Sequence, residues 1–142
     1  MFEYSRAVYY YETDKMGVVH HSNFIRWMEE ARDSFFNAAD LAYTVTEGHG
    51  VLCPVTDVDV KFRHFAAYGD VFTVRLEMIK YTGVRFRMFY SIVNQDGAVL
   101  MEGESGHAFV STDYKPVALP KVIPERHELM LKLMQKEKIG SE

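Results

Sequence analysis

Cysteine is nearly absent from this sequence: Cys53 stands alone among 142 residues. No intrachain disulfide can form, and such usage suits a reducing compartment. Positive charge is also scarce, with 16 Lys and Arg against 20 Asp and Glu and a formal net charge of −4. Nothing here resembles the basic stripe that nucleic-acid binding favours, so no nucleic-acid partner is expected. No apolar run approaches the ~20 residues of a membrane span, so no transmembrane segment is expected. The start, Met1–Phe2–Glu3–Tyr4–Ser5–Arg6, lacks a basic stretch followed by an apolar one and does not read as a signal peptide. A cytoplasmic protein is the expectation. Repeats, low-complexity tracts and Pro/Gly-rich linkers are missing as well. There is no G-x-S-x-G elbow for a hydrolase triad and no Gly-rich phosphate loop. His20 and His21 are adjacent, and His49, His64 and His107 are scattered. No Cys/His spacing completes a tetrahedral set, so no metal is expected.

Apolar residues make up 48% of the chain, enough for one core, and the length fits a single domain over 1–142. Val8 to Tyr11 is β-branched and aromatic and predicts a first strand. Glu12 to Val19 reads as a loop broken by Gly17. From residue 23 the period becomes helical: Phe24, Met28, Ala31 and Phe35 share one face, widened by Trp27, Ala38 and Ala39. A largely buried helix over 23–39 follows, with Ser22 or Asn23 as its N-cap. Glu29 and Arg32, at i and i+3, read as an ion pair on that helix. Beyond it the period is two. Val58, Val60 and Phe62, then Phe72 to Met78, then Val84 to Ile92 alternate with polar residues. Thr82–Gly83 and Asp96–Gly97 are turn signals, so these strands should be joined as antiparallel hairpins. Val99 to Val110 supplies a last strand, in which Gly103 and Gly106 mark a bulge or a close backbone approach. Pro120 and Pro124 break the chain before a charged C-terminal helix over about 124–138. Strand, long helix and a four-strand meander make an α+β layer architecture. Its edge strand would be exposed unless a second copy covers it.

The most informative chemistry precedes the long helix. Asp14 lies in the loop, Gly17 lets that loop turn, and the helix start offers backbone N–H groups. An aspartate is an anion at neutral pH and can act as general base or as nucleophile. A helix N-terminus has unpaired donors and partial positive charge, suited to an oxyanion. The plainer alternative is an aspartate that only caps a turn. Cys53, beside Pro54, reads as buried filler.

The spacing Thr13–Asp14–x–x–Gly17–x–Val19–x–His21–x–x–Phe24–x–x–Trp27–x–Glu29–x–x–Arg32 resembles the signature of the 4-hydroxybenzoyl-CoA thioesterase group. These are hotdog-fold acyl-CoA thioesterases, and the bacterial Tol–Pal-associated enzymes are similar in pattern. Tyr68–Gly69–Asp70, Glu102–Gly103, Lys115–Pro116 and Pro120 extend the resemblance over roughly residues 6–124. Phe65 departs from it, standing where the family has proline. Lys15 and Met16 fill positions that are often small.

The resemblance implies a hotdog fold, one long helix wrapped by a curved antiparallel sheet. It also implies an enzyme that hydrolyses an acyl-CoA thioester to a carboxylate and CoA. Asp14 would be base or nucleophile, Gly17 would shape the loop, and the His21 N–H would hold the oxyanion. The site would lie at a homodimer interface, with dimers often paired as a tetramer. No separate cofactor is implied, because CoA enters as part of the substrate. Arg63, His64, Arg85 and Arg87, with Lys61 and Lys80, form a basic set suited to CoA phosphates or, alternatively, an ordinary solvated sheet face. Trp27, Tyr43, Phe62, Phe86 and Phe89 are aromatics for a core or an acyl pocket. Three alternatives remain open at this point: an acyl-carrier-protein thioesterase, a hotdog hydratase or dehydratase, and a non-catalytic acyl-CoA-binding module.

Overall fold

The computed structural model describes residues 1–140. Five antiparallel strands form the main sheet: β1 (Phe2–Ala7), β3 (Val55–Phe62), β4 (Val71–Tyr81), β5 (Arg85–Val93) and β6 (Val99–Ala108). Their order across the sheet is β1-β4-β5-β6-β3. The helix α1 (Ser22–Ala38) packs on one face of it. Two short strands, β2 (Val51–Leu52) and β7 (Val110–Ser111), pair separately. The remaining helices are α2 (Tyr43–Gly48), α3 (Leu119–Val122) and α4 (Pro124–Gly140). This is the α+β hotdog architecture that the resemblance implied.

The alternation of apolar residues places the core. Phe72, Val74, Leu76 and Met78 of β4 and Phe86, Met88, Tyr90 and Ile92 of β5 are all buried. From α1 they meet Phe24, Trp27, Met28, Ala31, Phe35 and Phe36, spaced to share one helical face. Trp27 stacks flat on Phe72, with ring centroids 3.7 Å apart. Burying one such side chain contributes about 1.5–3 kcal/mol, so this layer alone anchors α1 to the sheet.

Three expectations change. The first strand is Phe2–Ala7, whereas Tyr10–Glu12 forms a 3-10 turn. Phe2, Tyr4 and Arg6 alternate inward with period two, while the aromatic run after Val8 is largely exposed. The meander is interrupted. β3 does not pair with β4, which follows it, but crosses the sheet to pair with β6. Residues 63–70 make that crossing, which a hairpin turn could not span. Finally, neither Ser22 nor Asn23 caps α1 through its side chain; its N-cap is His21.

Gly103 does mark a close approach. A Cβ there would lie 2.6 Å from the Asp59 carbonyl oxygen on the neighbouring strand. β3 is the outer edge of the sheet, and seven of its eight residues are exposed.

Candidate active site

The loop ahead of α1 is fixed by a carboxylate the sequence analysis passed over. Glu12 is 3% exposed. Arg6 donates to both its oxygens, at 2.9 and 2.8 Å, the Trp27 Nε1–H donates at 2.8 Å and the Tyr9 N–H at 2.8 Å. The Glu12 carbonyl accepts the His20 N–H at 2.9 Å and Asn23 Nδ2 at 3.0 Å. Asn23 therefore ties the loop to the helix instead of capping it. Burial pushes the Glu12 carboxyl up, but Arg6, Trp27 and Tyr9 outweigh it and hold it below its ordinary value. Arg6 reaches a second carboxylate, Glu30 on α1, at 2.8 Å. The available signal was the coincidence of an early arginine, a helix tryptophan and a glutamate two residues before Asp14.

From this anchor the chain makes a tight loop. Thr13 bridges to Val19, and the Asp14 N–H donates to the Val18 carbonyl at 2.8 Å. Gly17 has φ +80°, a left-handed conformation that glycine adopts without strain. Asp14 Oδ1 accepts the Met16 N–H at 2.8 Å, which fixes the side chain. Oδ2 accepts no hydrogen bond from the described residues, leaving it available to a ligand. The loop is braced by the Val19 N–H on the Ala66 carbonyl, and the Tyr68–Gly69–Asp70 turn behind it is closed by Asp70 Oδ2 accepting the Ala67 N–H.

At the helix start, successive N–H groups are accounted for except one. His20 donates to the Glu12 carbonyl, Ser22 to His20 Nδ1, Asn23 to the His20 carbonyl and Phe24 to the His21 carbonyl. The His21 N–H has no acceptor among the described residues. The His21 ring is exposed, stacks on His20 at 4.3 Å and meets Phe62 edge-on at 6.0 Å.

Asp14 and His21 open on one cavity of about 840 Å³, with Arg63, His64, Phe24, Phe62 and Phe65 also in its wall. Four of the expected site residues thus come together, and Gly17 shapes the loop beside them. Arg85 and Arg87 line a different depression, of about 200 Å³, with Thr56, Asp57 and Lys80. Arg87 is paired there with Asp57 at 2.8 Å and Glu104 at 2.7 Å. Arg32 does not pair with Glu29. It turns inward, donating from Nη1 to the Tyr90 hydroxyl at 2.9 Å and from Nε to the Tyr43 hydroxyl at 3.2 Å. Cys53 is half-buried, and desolvation pushes its thiol up to about 12. That holds it protonated and inert, as filler should be.

A loop carboxylate with one oxygen free and a helix start with one free N–H thus border the same cavity of a hotdog frame. The profile of the thioesterase-like superfamily matches residues 8–127.

The chain belongs to the thioesterase-like superfamily.

This thioesterase is 32% identical over 121 residues to the putative acyl-CoA thioesterase YneP of Bacillus subtilis, covering 84% of this chain and 88% of that protein. It is 31% identical over 127 residues to the acyl-CoA thioesterase YbgC of Helicobacter pylori, covering 83% and 93%. Among solved structures it superimposes on the DHNA-CoA thioesterase of Staphylococcus aureus with a TM-score of 0.91 and 29% identity, covering 97% of this chain and 93% of that one. Family, fold and enzyme class all agree with the resemblance. No helix among the described residues is long and apolar enough to cross a membrane.

Proposed function

We propose that this thioesterase hydrolyses an acyl-CoA with Asp14 as the attacking or water-activating carboxylate and the His21 N–H as oxyanion donor. The observation that carries the proposal is that His21, whose N–H has no acceptor among the described residues, lines the same cavity as Asp14. In a general-base route Asp14 takes a proton from water. The water oxygen attacks the thioester carbon, the negative oxygen rests on the His21 N–H, and the thiolate of CoA leaves. In a nucleophilic route Asp14 itself attacks, giving a mixed anhydride that water then opens. Arg63 and His64, at the same cavity, suit the phosphate-bearing arm of CoA. One oxyanion donor is worth about 2.7–4 kcal/mol, so the single N–H is a substantial part of the barrier reduction.

The working unit in this proposal is a dimer joined along β3. That edge exposes Val55, Val58 and Phe62 by 39–48% and has no partner on its outer side among the described residues. A bare, partly apolar edge favours strand addition, and the simplest partner is a second copy. Antiparallel pairing about a two-fold then continues the sheet and closes the cavity of Asp14.

The test is a panel of acyl-CoA esters assayed by free-thiol release, on wild type and Asp14→Asn. Hydrolysis by the wild type and its loss in the variant are expected. Unchanged turnover in Asp14→Asn would refute the assignment. Single-turnover reaction in isotopically labelled water separates the routes, since label enters the Asp14 carboxylate only if the anhydride forms.

A further inference from the structure

The lip of the Asp14 cavity carries a side chain without a task in the proposed reaction. Met16 is in the wall of that cavity, two residues after Asp14, and it is 79% exposed. An apolar side chain with so much of its surface in water adds little to the core. Its backbone is held firmly: the Met16 N–H donates to Asp14 Oδ1 at 2.8 Å, and Gly17 turns the loop directly after it. The fixed backbone keeps the thioether at the mouth of the cavity, outside β3, the strand assigned to the dimer contact.

The other methionines set Met16 apart. The chain has eight. Met28, Met78, Met88, Met101 and Met130 are sealed in the core, and Met134 is partly buried against it. Met1, 59% exposed, is the one other methionine open to solvent, and it is not in the wall of the Asp14 cavity. Thioethers are oxidised where an oxidant reaches the sulfur, so a small peroxide should modify Met16 and Met1 and spare the core. The second kind of sulfur in the chain is poorly reactive. Cys53 is half-buried and held protonated.

Oxidation would reverse the character of the lip. A thioether accepts hydrogen bonds only weakly, which suits a wall that is apolar at Val18, Phe62 and Phe65. A sulfoxide is strongly polar and brings an acceptor with no donor of its own. The Asp14 carboxylate is acceptor-only as well. The donors in this wall are His21, Arg63 and His64, which the proposed reaction assigns to the oxyanion and to CoA. The new oxygen either competes for one of those donors or loses its water unpaired when substrate fills the cavity. Both outcomes weaken binding.

We propose that Met16 is an oxidation site that controls the activity of the Asp14 cavity. A hydroperoxide transfers one oxygen atom to the Met16 sulfur. The O–O bond breaks, an S–O bond forms, the sulfur gives up two electrons, and hydrogen peroxide leaves as water. Thioester hydrolysis then slows. A methionine sulfoxide reductase reverses the change: two thiols supply the electrons, the oxygen leaves as water and the thiols join as a disulfide. The effect on turnover rests on the thioesterase reading, whereas the place of oxidation does not.

The test treats the folded protein with hydrogen peroxide and locates the added oxygen by peptide mass spectrometry. Met16 and Met1 should be oxidised while the five core methionines stay intact. Core methionines oxidised as fast as Met16 would overturn the proposal. Turnover is read as kcat/KM after and before peroxide on the best acyl-CoA of the panel, each variant being its own reference. Wild type should fall by about 10- to 100-fold, the usual effect of burying an unpaired polar group. Met16→Leu is still oxidised at Met1, yet its ratio should stay near one. Methionine sulfoxide reductase with a thiol should restore treated wild type. Restoration by the thiol alone would point to Cys53 and count against Met16. Met16→Gln, similar in length to the sulfoxide and polar, should be slow without any oxidant. Equal loss in Met16→Leu, or undiminished turnover by wild type oxidised at Met16, would refute the proposal. If untreated wild type hydrolyses no ester, the thioesterase reading fails instead. The peptide map and equilibrium binding of the intact acyl-CoA then decide: oxidation at Met16 that leaves binding unchanged refutes the proposal, and weakened binding upholds it.

Discussion

Two carboxylates two residues apart in the same loop have opposite surroundings. Glu12 is buried and satisfied by Arg6, Trp27 and Tyr9; Asp14 keeps one oxygen free. Replacing Glu12 by Gln weakens its pairing with Arg6, which keeps Glu30 as a second carboxylate, and should destabilise the fold by about 1–3 kcal/mol. A urea titration followed by tryptophan fluorescence measures this directly, since Trp27 is itself a Glu12 partner. Asp14→Asn should behave in the reverse way. It keeps an oxygen for the Met16 N–H, so its unfolding free energy should stay within about 0.5 kcal/mol of wild type. Its kcat should fall by about 10²- to 10⁴-fold, the contribution of a positioned base. The pair of measurements separates an anchoring carboxylate from a reactive one.

Among the described residues, β3 has one side against β6 and one side without a partner. Its inner side is close-packed at Gly103, where the Asp59 carbonyl leaves no space for a methyl group. Gly103→Ala should push β3 from β6 and destabilise by about 1–3 kcal/mol, measured as a lower melting temperature. The bare side is governed by different physics. Val58, near the strand's midpoint and 39% exposed, would face its own copy across the two-fold. Val58→Lys should set like charges there, as natural edges do to prevent pairing. Sedimentation should show the mass moving towards the monomer. Activity should fall with it, while the melting temperature at low concentration changes little. A variant that stays dimeric and active would place the interface elsewhere.

For the molecule as a unit, the clearest prediction concerns acid. His107 is buried beside Phe86, its ring stacked at 4.6 Å. Desolvation, with Arg32 adding to it, pushes its pKa down to about 3. The unfolded chain binds this proton from about pH 6.5 downwards, and the folded chain does not. Stability should therefore be complete above pH 6.5 and decline as pH falls towards 3, with a slope of about 1.4 kcal/mol per unit. Glu12, also held below its ordinary value, contributes stability that is lost only at lower pH, below about 4.5. His107→Gln should flatten the urea-midpoint profile between pH 6.5 and 4.5 and leave the steeper acid limb in place. A wild-type profile flat over that upper window would contradict a neutral, buried His107.

The long helix, the alternating strands and the Asp14–Gly17–His21 spacing were legible in the sequence. Each is a local pattern of period, turn chemistry or motif that a linear reading captures. The start of β1 was misplaced because exposed aromatics at Tyr10 and Tyr11 imitate a strand, whereas the buried alternation lies at Phe2, Tyr4 and Arg6. The place of β3 beside β6 was not legible. Pairing partners depend on how residues 63–70 cross the sheet, and no local period encodes a crossing. Arg32 shows the same limit. At i+3 from Glu29 it imitates a surface ion pair, but Tyr90 and Tyr43 draw it inward from positions 58 and 11 residues away. Glu12 went unmarked because its partners come from β1, α1 and the preceding turn, which meet only on folding. Sequence alone determined the family, the helix-on-sheet layering and the spacing of Asp14, Gly17 and His21 ahead of the helix, since those depend on near neighbours. The sheet order, the anchoring of Glu12 and the inward turn of Arg32 were settled by tertiary packing, which brings distant groups together and removes the water between them.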